Sequence, residues 1–365
     1  MYYADGQFLS KFFSVPLPLI VSIILSAFAV TVAGALTVLK FFPRWGLMDK
    51  PEKYGISSRP PIPYPGGVAI FFAAVISILI YLDLNQMVLS VLLGATLLAA
   101  TCFWDDRAGL SPYLRLCVQV AAAGLLVLGG IGVSSITNPL GGVIVLDSIN
   151  IPISFAGLTW TFTVFADILT VIWVVAMVNA FNWVDGVPGM ASSLSVVASG
   201  VLLVLSTRAG MHSVDQTLAI TLSAIIFGAS TAFLIFDFPR PRMLMGDTGS
   251  MFLGFLLAVT AIISGGKIAT TMLVLGFPIL DFAWVILRRI LKGQSPFHGD
   301  LWHFHHRLLK AGYSERMTVV IFASISLIFG LTALLLHTEG KAIAFFVLLA
   351  VMILFAILLY SRPKQ

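Results

Sequence analysis

The chain has 365 residues, of which 59% are hydrophobic and only 10% charged, with a formal net charge of +5 and a mean hydropathy of +1.02. Soluble domains carry about 25% charged residues, so no water-soluble surface can be built from this composition. An integral membrane protein is expected, and no nucleic-acid partner.

The N-terminal stretch MYYADGQFLSKFF lacks a basic segment and a small-residue cleavage site, so the first apolar run is expected to be retained. Continuous apolar runs of about 20 residues suit membrane-spanning helices rather than the alternating strands of a barrel. They predict eleven spans: 17–42, 66–82, 87–104, 114–132, 163–181, 187–206, 217–236, 250–265, 268–287, 317–336 and 341–360. The short 66–82 and 250–265 runs make ten the lower count. Between the fourth and fifth spans, residues 133–162 alternate apolar and polar residues around Asn-Pro and Gly-Gly. That pattern predicts a small extracytoplasmic β-hairpin or interfacial flap. The fold class is an all-α polytopic membrane protein, one domain over 1–365 without internal repeats. Cys102 and Cys117 are too few for a disulfide framework and read as small buried hydrophobes.

With eleven spans and the N-terminus outside, only Lys11, Arg208, Lys267 and Lys341 of the 21 basic residues fall on the outer side. The positive-inside rule demands such a bias, and it supports eleven spans over ten.

Five segments on the predicted cytosolic side carry the polar residues. SSRPPIPYPGG is a Pro-rich connector ending in two glycines at a helix start. FWDDRAGLSP sets Asp105 beside Asp106 at the end of the third span, where two carboxylates repel unless a cation sits between them. In NAFNWVDGVPGM, Asn179, Asn182 and Asp185 share a helix face at i, i+3, i+6. Polar side chains near a bilayer mark a site, although they also serve as helix-packing glue. In MGDTGSMFLG, Asp247 sits in a Gly-flanked turn before an apolar helix. Asp247 or Ser250 could be a plain N-cap there, and the helix start is also a cradle for phosphate. Finally, GDLWHFHHRL places His303, His305 and His306 within four positions, framed by Asp300 and Arg307, with His298 upstream. Carboxylates, amides, histidines and arginines converging at one membrane face are what handling phosphates with a divalent cation requires.

DDRAGLSP, NAFNWVDG, MGDTGS and HFHHRL, in this order, resemble the polyprenyl-phosphate N-acetylhexosamine-1-phosphate transferase superfamily over residues 40 to 312. Eleven spans and the ending Arg307-Leu308 resemble the branch that initiates O-antigen and teichoic-acid linkage synthesis more than the ten-span peptidoglycan translocase. The resemblance implies transfer of a sugar-1-phosphate from a UDP-N-acetylhexosamine, UDP-GlcNAc or a related donor, to undecaprenyl phosphate at the cytosolic face of the bacterial inner membrane. UMP leaves, and the lipid-linked first sugar of a surface polysaccharide forms.

Magnesium suits such a site because it takes oxygen ligands from one or two carboxylates and from substrate phosphates, with manganese a substitute. By the family pattern Asp247 is the first metal ligand, supported by Asp105 and Asp106. Asp105 is also the family's candidate base or phosphate-orienting group. Orientation is favoured, because a phosphomonoester with its second pKa near 6 has little proton left to lose. Asn179, Asn182 and Asp185 match positions that contact the nucleotide and metal region. His303, His305, His306 and Arg307 are assigned to the pyrophosphate or sugar, with zinc ligation the alternative. Two departures stand out. Pro188 replaces an Asp common in relatives, and Leu244 stands where some relatives have an aromatic residue for the uracil. Dimers are common among related enzymes, and the sequence leaves the oligomeric state open. A secondary transporter would set its ionisable residues near the midplane, and an intramembrane metalloprotease would want an HExxH motif; neither pattern is present.

Overall fold

The computed structural model describes residues 15–51, 60–138, 142–155, 158–208, 215–265, 267–295 and 303–360. His298 and Asp300 lie outside the described residues. In chain order the helices are α1 (Leu17–Phe41), α2 (Val68–Tyr81), α3 (Gln86–Ala108), α4 (Pro112–Leu128), α5 (Val164–Val184), α6 (Met190–Thr207), α7 (Thr217–Asp237), α8 (Gly246–Ile263), α9 (Ile268–Val274), α10 (Gly276–Leu291), α11 (Phe304–Lys310), α12 (Glu315–Leu335) and α13 (Thr338–Tyr360). Eight of these are long and apolar enough to cross a membrane: α1, α3, α5 to α8, α12 and α13.

The other three predicted spans take shorter or broken forms. α2 and α4 are apolar helices of 14 and 17 residues. The 268–287 run is two helices, α9 and α10, meeting at a bend of 84°. Pro278 accounts for the break. It has no N–H to donate, and its ring clashes with the carbonyl four residues back, that of Val274, where α9 ends. Gly276 at the corner leaves room for Leu348 of α13, whose Cδ2 would lie 2.3 Å from an added Cβ.

Residues 133–162 hold two hairpins where one was expected. β1 (Ser135–Thr137) pairs antiparallel with β2 (Val143–Val145), and β3 (Asn150–Phe155) with β4 (Leu158–Thr163). The cysteine expectation is half corrected. Cys102 is buried, its thiol 3.3 Å from the Met251 sulfur, but Cys117 is on the exposed outer face of α4.

α8 is the axis of the bundle, buried along nearly its whole length and packed by α5, α3, α7, α6 and α2. Small residues bring backbones together there. A Cβ on Gly254 would lie 2.7 Å from the Met177 carbonyl of α5, and the Trp173 indole N–H donates to Ala258 O (3.2 Å). Several buried hydroxyls donate to carbonyls of their own helix, as Thr260 does to Leu256 O (2.7 Å). The outer faces remain apolar, with Leu25, Ile80, Ile172, Ile328 and Phe346 all more than half exposed, as a lipid-facing belt requires. α3, α5 and α7 end, and α4, α6 and α8 begin, where the polar residues gather.

Candidate active site

The site forms around one arginine. Ser111 caps α4, its Oγ accepting from Leu114 N–H (3.2 Å), with Pro112 at the first helical position. One turn later Arg115 points back across the bundle. Its Nε lies 3.1 Å from Asp105 Oδ2 of α3, and its Nη2 lies 2.9 Å from Asp247 Oδ2 of α8. Nη2 also donates to Asn182 Oδ1 of α5 (3.1 Å). Asn182 Nδ2 in turn donates to Asp247 Oδ1 (2.7 Å), and Leu110 N–H to Asp105 Oδ1 (2.5 Å). One planar guanidinium thus bridges two carboxylates and an amide from three helices, in the forked geometry that arginine provides. Deeper in the bundle, Asn179 and Gln119 form a reciprocal amide pair at 2.6 and 3.3 Å.

Asp106 turns a different way from its neighbour Asp105. It accepts from Asp247 N–H (2.9 Å), Thr248 N–H (2.9 Å), the Thr248 hydroxyl (2.6 Å) and the Tyr64 hydroxyl. The first turn of any helix has unpaired N–H groups, and α8 has no side-chain cap of its own. Asp106 supplies that cap from another helix. The backbone of Gly66 and Gly67 also donates to Leu244 O (2.6 Å) and Met245 O (2.9 Å). A Cβ on Gly67 would come within 2.3 Å of Gly249 Cα, so only glycine permits this approach.

The histidines make a second group. Asp281 of α10 accepts from Phe304 N–H (3.1 Å) at the start of α11 and lies 2.9 Å from His303 Nδ1. His303 and His305 stack with ring centroids 5.7 Å apart, and His306 lies 4.2 Å from His305. His305 is 1% exposed, and neither ring nitrogen has a hydrogen-bond partner among the described residues. Its Nε2 faces Gly186, where an added Cβ would come within 2.5 Å. Burial, with His306 and His303 beside it, holds its pKa well below the usual histidine value. Asp185, in the same loop as Gly186, is pushed well above the carboxylate range by burial and by the charges of Asp237, Asp247 and Asp106. Arg307 does not join either group. It donates to Ala356 O of α13 (3.0 Å) and lies over the Phe304 ring.

The predicted residues of α3, α5 and α8 therefore meet in one cluster, gathered at one end of the bundle rather than at its middle as a transporter site would be. Residues 88–265, which hold that cluster, match the family model described as glycosyl transferase family 4. Similar proteins span most of the length of this chain. A Bacillus subtilis protein named probable undecaprenyl-phosphate N-acetylglucosaminyl 1-phosphate transferase is 29% identical over 345 residues, covering 90% of this chain and 89% of that protein. The undecaprenyl-phosphate alpha-N-acetylglucosaminyl 1-phosphate transferase of Yersinia pestis is 26% identical, covering 87% and 83%. A phospho-N-acetylmuramoyl-pentapeptide-transferase of Borrelia hermsii is 28% identical, covering 78% and 84%.

Three residues that organise this site escape a motif reading: Arg115, Tyr64 and Asp281. Arg115 is the one charged residue of the predicted span 114–132, and Asp281 the one charged residue of the predicted span 268–287. An ionisable side chain inside a span is by default a functional candidate, which is the signal that would have found both. Tyr64 sends no such signal.

Proposed function

We propose that this protein transfers N-acetylglucosamine 1-phosphate from UDP-GlcNAc to undecaprenyl phosphate, releasing UMP. An oxygen of the acceptor phosphate attacks the sugar-bearing phosphorus, the bond from that phosphorus to the bridging oxygen breaks, and UMP carries the electron pair away. The observation that carries this reading is the cluster of Asp105, Asp247, Asn182 and Arg115, built from the family-matched segment. The names of relatives spanning most of the chain support the donor and acceptor.

The donor set suits magnesium: two carboxylates and an amide oxygen converge, while no third acidic, histidine or cysteine ligand joins them among the described residues. Magnesium binds in just that way, through one or two carboxylates and substrate oxygens. Asp247 and Asp105 would hold it, and a bound ion would supply charge neutralisation at the pyrophosphate. Asp106, its oxygens taken by four donors, acts by fixing the start of α8 and hence Asp247.

Arg115 holds the carboxylates at a set separation and offers a cation to the phosphates. The acceptor dianion needs no base, so Asp105 orients. Neutral His305 presents its ring beside the Gly186 loop as a donor to the sugar or pyrophosphate. The basic bias of the loops supports a cytosolic face for this site in the inner membrane, where the product would begin a surface polysaccharide such as an O-antigen or teichoic-acid linkage.

The test is UMP release by purified protein in detergent with undecaprenyl phosphate, a panel of UDP-N-acetylhexosamines, and magnesium or EDTA. Lipid-dependent, EDTA-sensitive release is expected. A folded preparation that releases no UMP with any donor overturns the reading.

A further inference from the structure

At the end of the bundle away from the carboxylate cluster, α6, α8 and α12 finish and α9 and α13 begin. Three basic residues meet there, all of them half-buried: Arg208, Lys267 and Lys341. Arg208 closes α6, and its Nη1 donates to Leu334 O (2.8 Å) in the last turn of α12. Lys341, near the start of α13, donates through Nζ to the Thr270 hydroxyl of α9 (2.8 Å). Lys267 immediately precedes α9, close enough to both for their charges to oppose its own. A Cβ on Gly330 of α12 would lie 2.9 Å from Val201 of α6 and 3.3 Å from Val274 of α9, so the helices that carry these cations are tightly packed.

Three like charges held together repel, and the surrounding helices offset only part of that. Arg208 lies at the ends of α6 and α12, where the helix dipoles are negative, whereas Lys341 lies near the positive end of α13. The neighbouring carboxylates do not supply the missing charge. Asp215 Oδ1 accepts from the Thr217 N–H (3.0 Å) and hydroxyl (2.8 Å). Glu339 is exposed and, two residues before Lys341, faces another side of α13. Neither Arg208 nor Lys341 has an ion-pair partner among the described residues. Donors also remain, since a guanidinium carries five N–H groups and an ammonium three. The complementary ligand is a compact anion with several acceptor oxygens, as a phosphate group is. Leu335 of α12 and Ile343 of α13 are exposed on either side, at 81% and 66%, and give acyl chains an apolar surface to lie on.

We propose that Arg208, Lys267 and Lys341 bind the phosphate group of an anionic ligand at the membrane surface opposite the active site, supplied by the bilayer as a phospholipid headgroup. The proposal does not depend on the transfer reaction. It gives a ligand to the end of the molecule that carries none of the polar motifs.

Thermal unfolding of the full-length protein in a neutral detergent tests this, with phosphatidylglycerol, phosphatidylcholine or inorganic phosphate added in turn. Phosphatidylglycerol should raise the midpoint by about 4 °C, and phosphatidylcholine should not. The same rise with inorganic phosphate at equal concentration would make free phosphate the ligand, whereas a rise with the lipid alone would make it the headgroup. A parent midpoint that neither moves, or an equal rise with phosphatidylcholine, overturns the proposal. The double variant Lys267→Gln, Lys341→Gln should lose at least half of the rise, and a folded double variant that keeps all of it also refutes the site. If the double variant does not fold, Lys341→Gln is read against Lys341→Arg. The arginine variant should keep the rise that the glutamine variant loses, and equal rises in the two would again refute it.

Discussion

Arg115 bridges Asp105 and Asp247 and neutralises part of their charge. Removing it leaves two carboxylates facing each other with nothing between them. Arg115→Gln should cut kcat for UMP release by about 10²–10³, the scale of losing one pre-placed electrostatic group. Arg115→Lys should recover only part, because an ammonium cannot bridge two carboxylates in a fixed plane. In thermal unfolding, magnesium should raise the midpoint of Arg115→Gln more than that of the parent, and an equal rise would place the ion elsewhere. His305 gives a pH dependence of known sign. Its folded pKa lies below the unfolded value, so the unfolded chain takes up a proton first as pH falls through about 6.5. Stability from this residue is therefore complete at neutral pH and lost on acidification, by at most about 1.4 kcal/mol per pH unit. Raised carboxylates such as Asp185 act in the opposite sense, so the check is a comparison: between pH 7.5 and 5 the parent's thermal midpoint should lose more, or gain less, than that of His305→Asn. Neither role is visible in a motif: the histidine run could be read as a site, but not which ring is buried without a partner.

At the scale of elements, three helices that begin at the site are held by carboxylates from other helices. Asp106 caps α8, and Asp281 caps α11. Asp237 at the end of α7 accepts from Gly189 N–H (2.9 Å) and the Ser192 hydroxyl (2.8 Å) at the start of α6. Each carboxylate sits against the positive end of a helix dipole, which lets buried helix starts meet without bare N–H groups. Asp106→Ala should lower the thermal midpoint by an amount equivalent to about 1–3 kcal/mol, the cost of unsatisfied buried donors. It should also reduce kcat, since Asp247 moves with the first turn of α8. A midpoint loss without a kcat loss would show that the cap does not position Asp247. Apolar run length located all eight helices long and apolar enough to cross a membrane, because a bilayer sets the length that a run must have, but not the short α11. It could not separate α9 from α10, although Pro278 stood inside the run as the breaker. Nor could it find Asp237 as a cap, since capping across helices depends on which ends meet.

Across the whole molecule, the polar residues and the basic bias agree on one side. α3, α5 and α7 run toward the cluster, and the loops and helix ends there carry Arg240, Arg242, Arg288, Arg289 and Lys292. At the other end Lys267 feels both Lys341 and Arg208, three of the four basic residues predicted to lie outside. Burial and those two cations lower the pKa of Lys267, so this end holds its few positive charges together rather than spreading them over loops. The hairpins follow α4 and precede α5, which places them at that same end. This arrangement predicts the result of single-cysteine labelling in intact cells, in a background where Cys102 and Cys117 are replaced. Asp147→Cys, beside the hairpins, should react with a membrane-impermeant maleimide in whole cells, whereas Lys292→Cys should react only after permeabilisation. The reverse pattern would put the carboxylate cluster outside, away from the cytosolic pool of nucleotide sugars. It would leave the fold intact, yet it would remove the donor on which the proposed reaction depends.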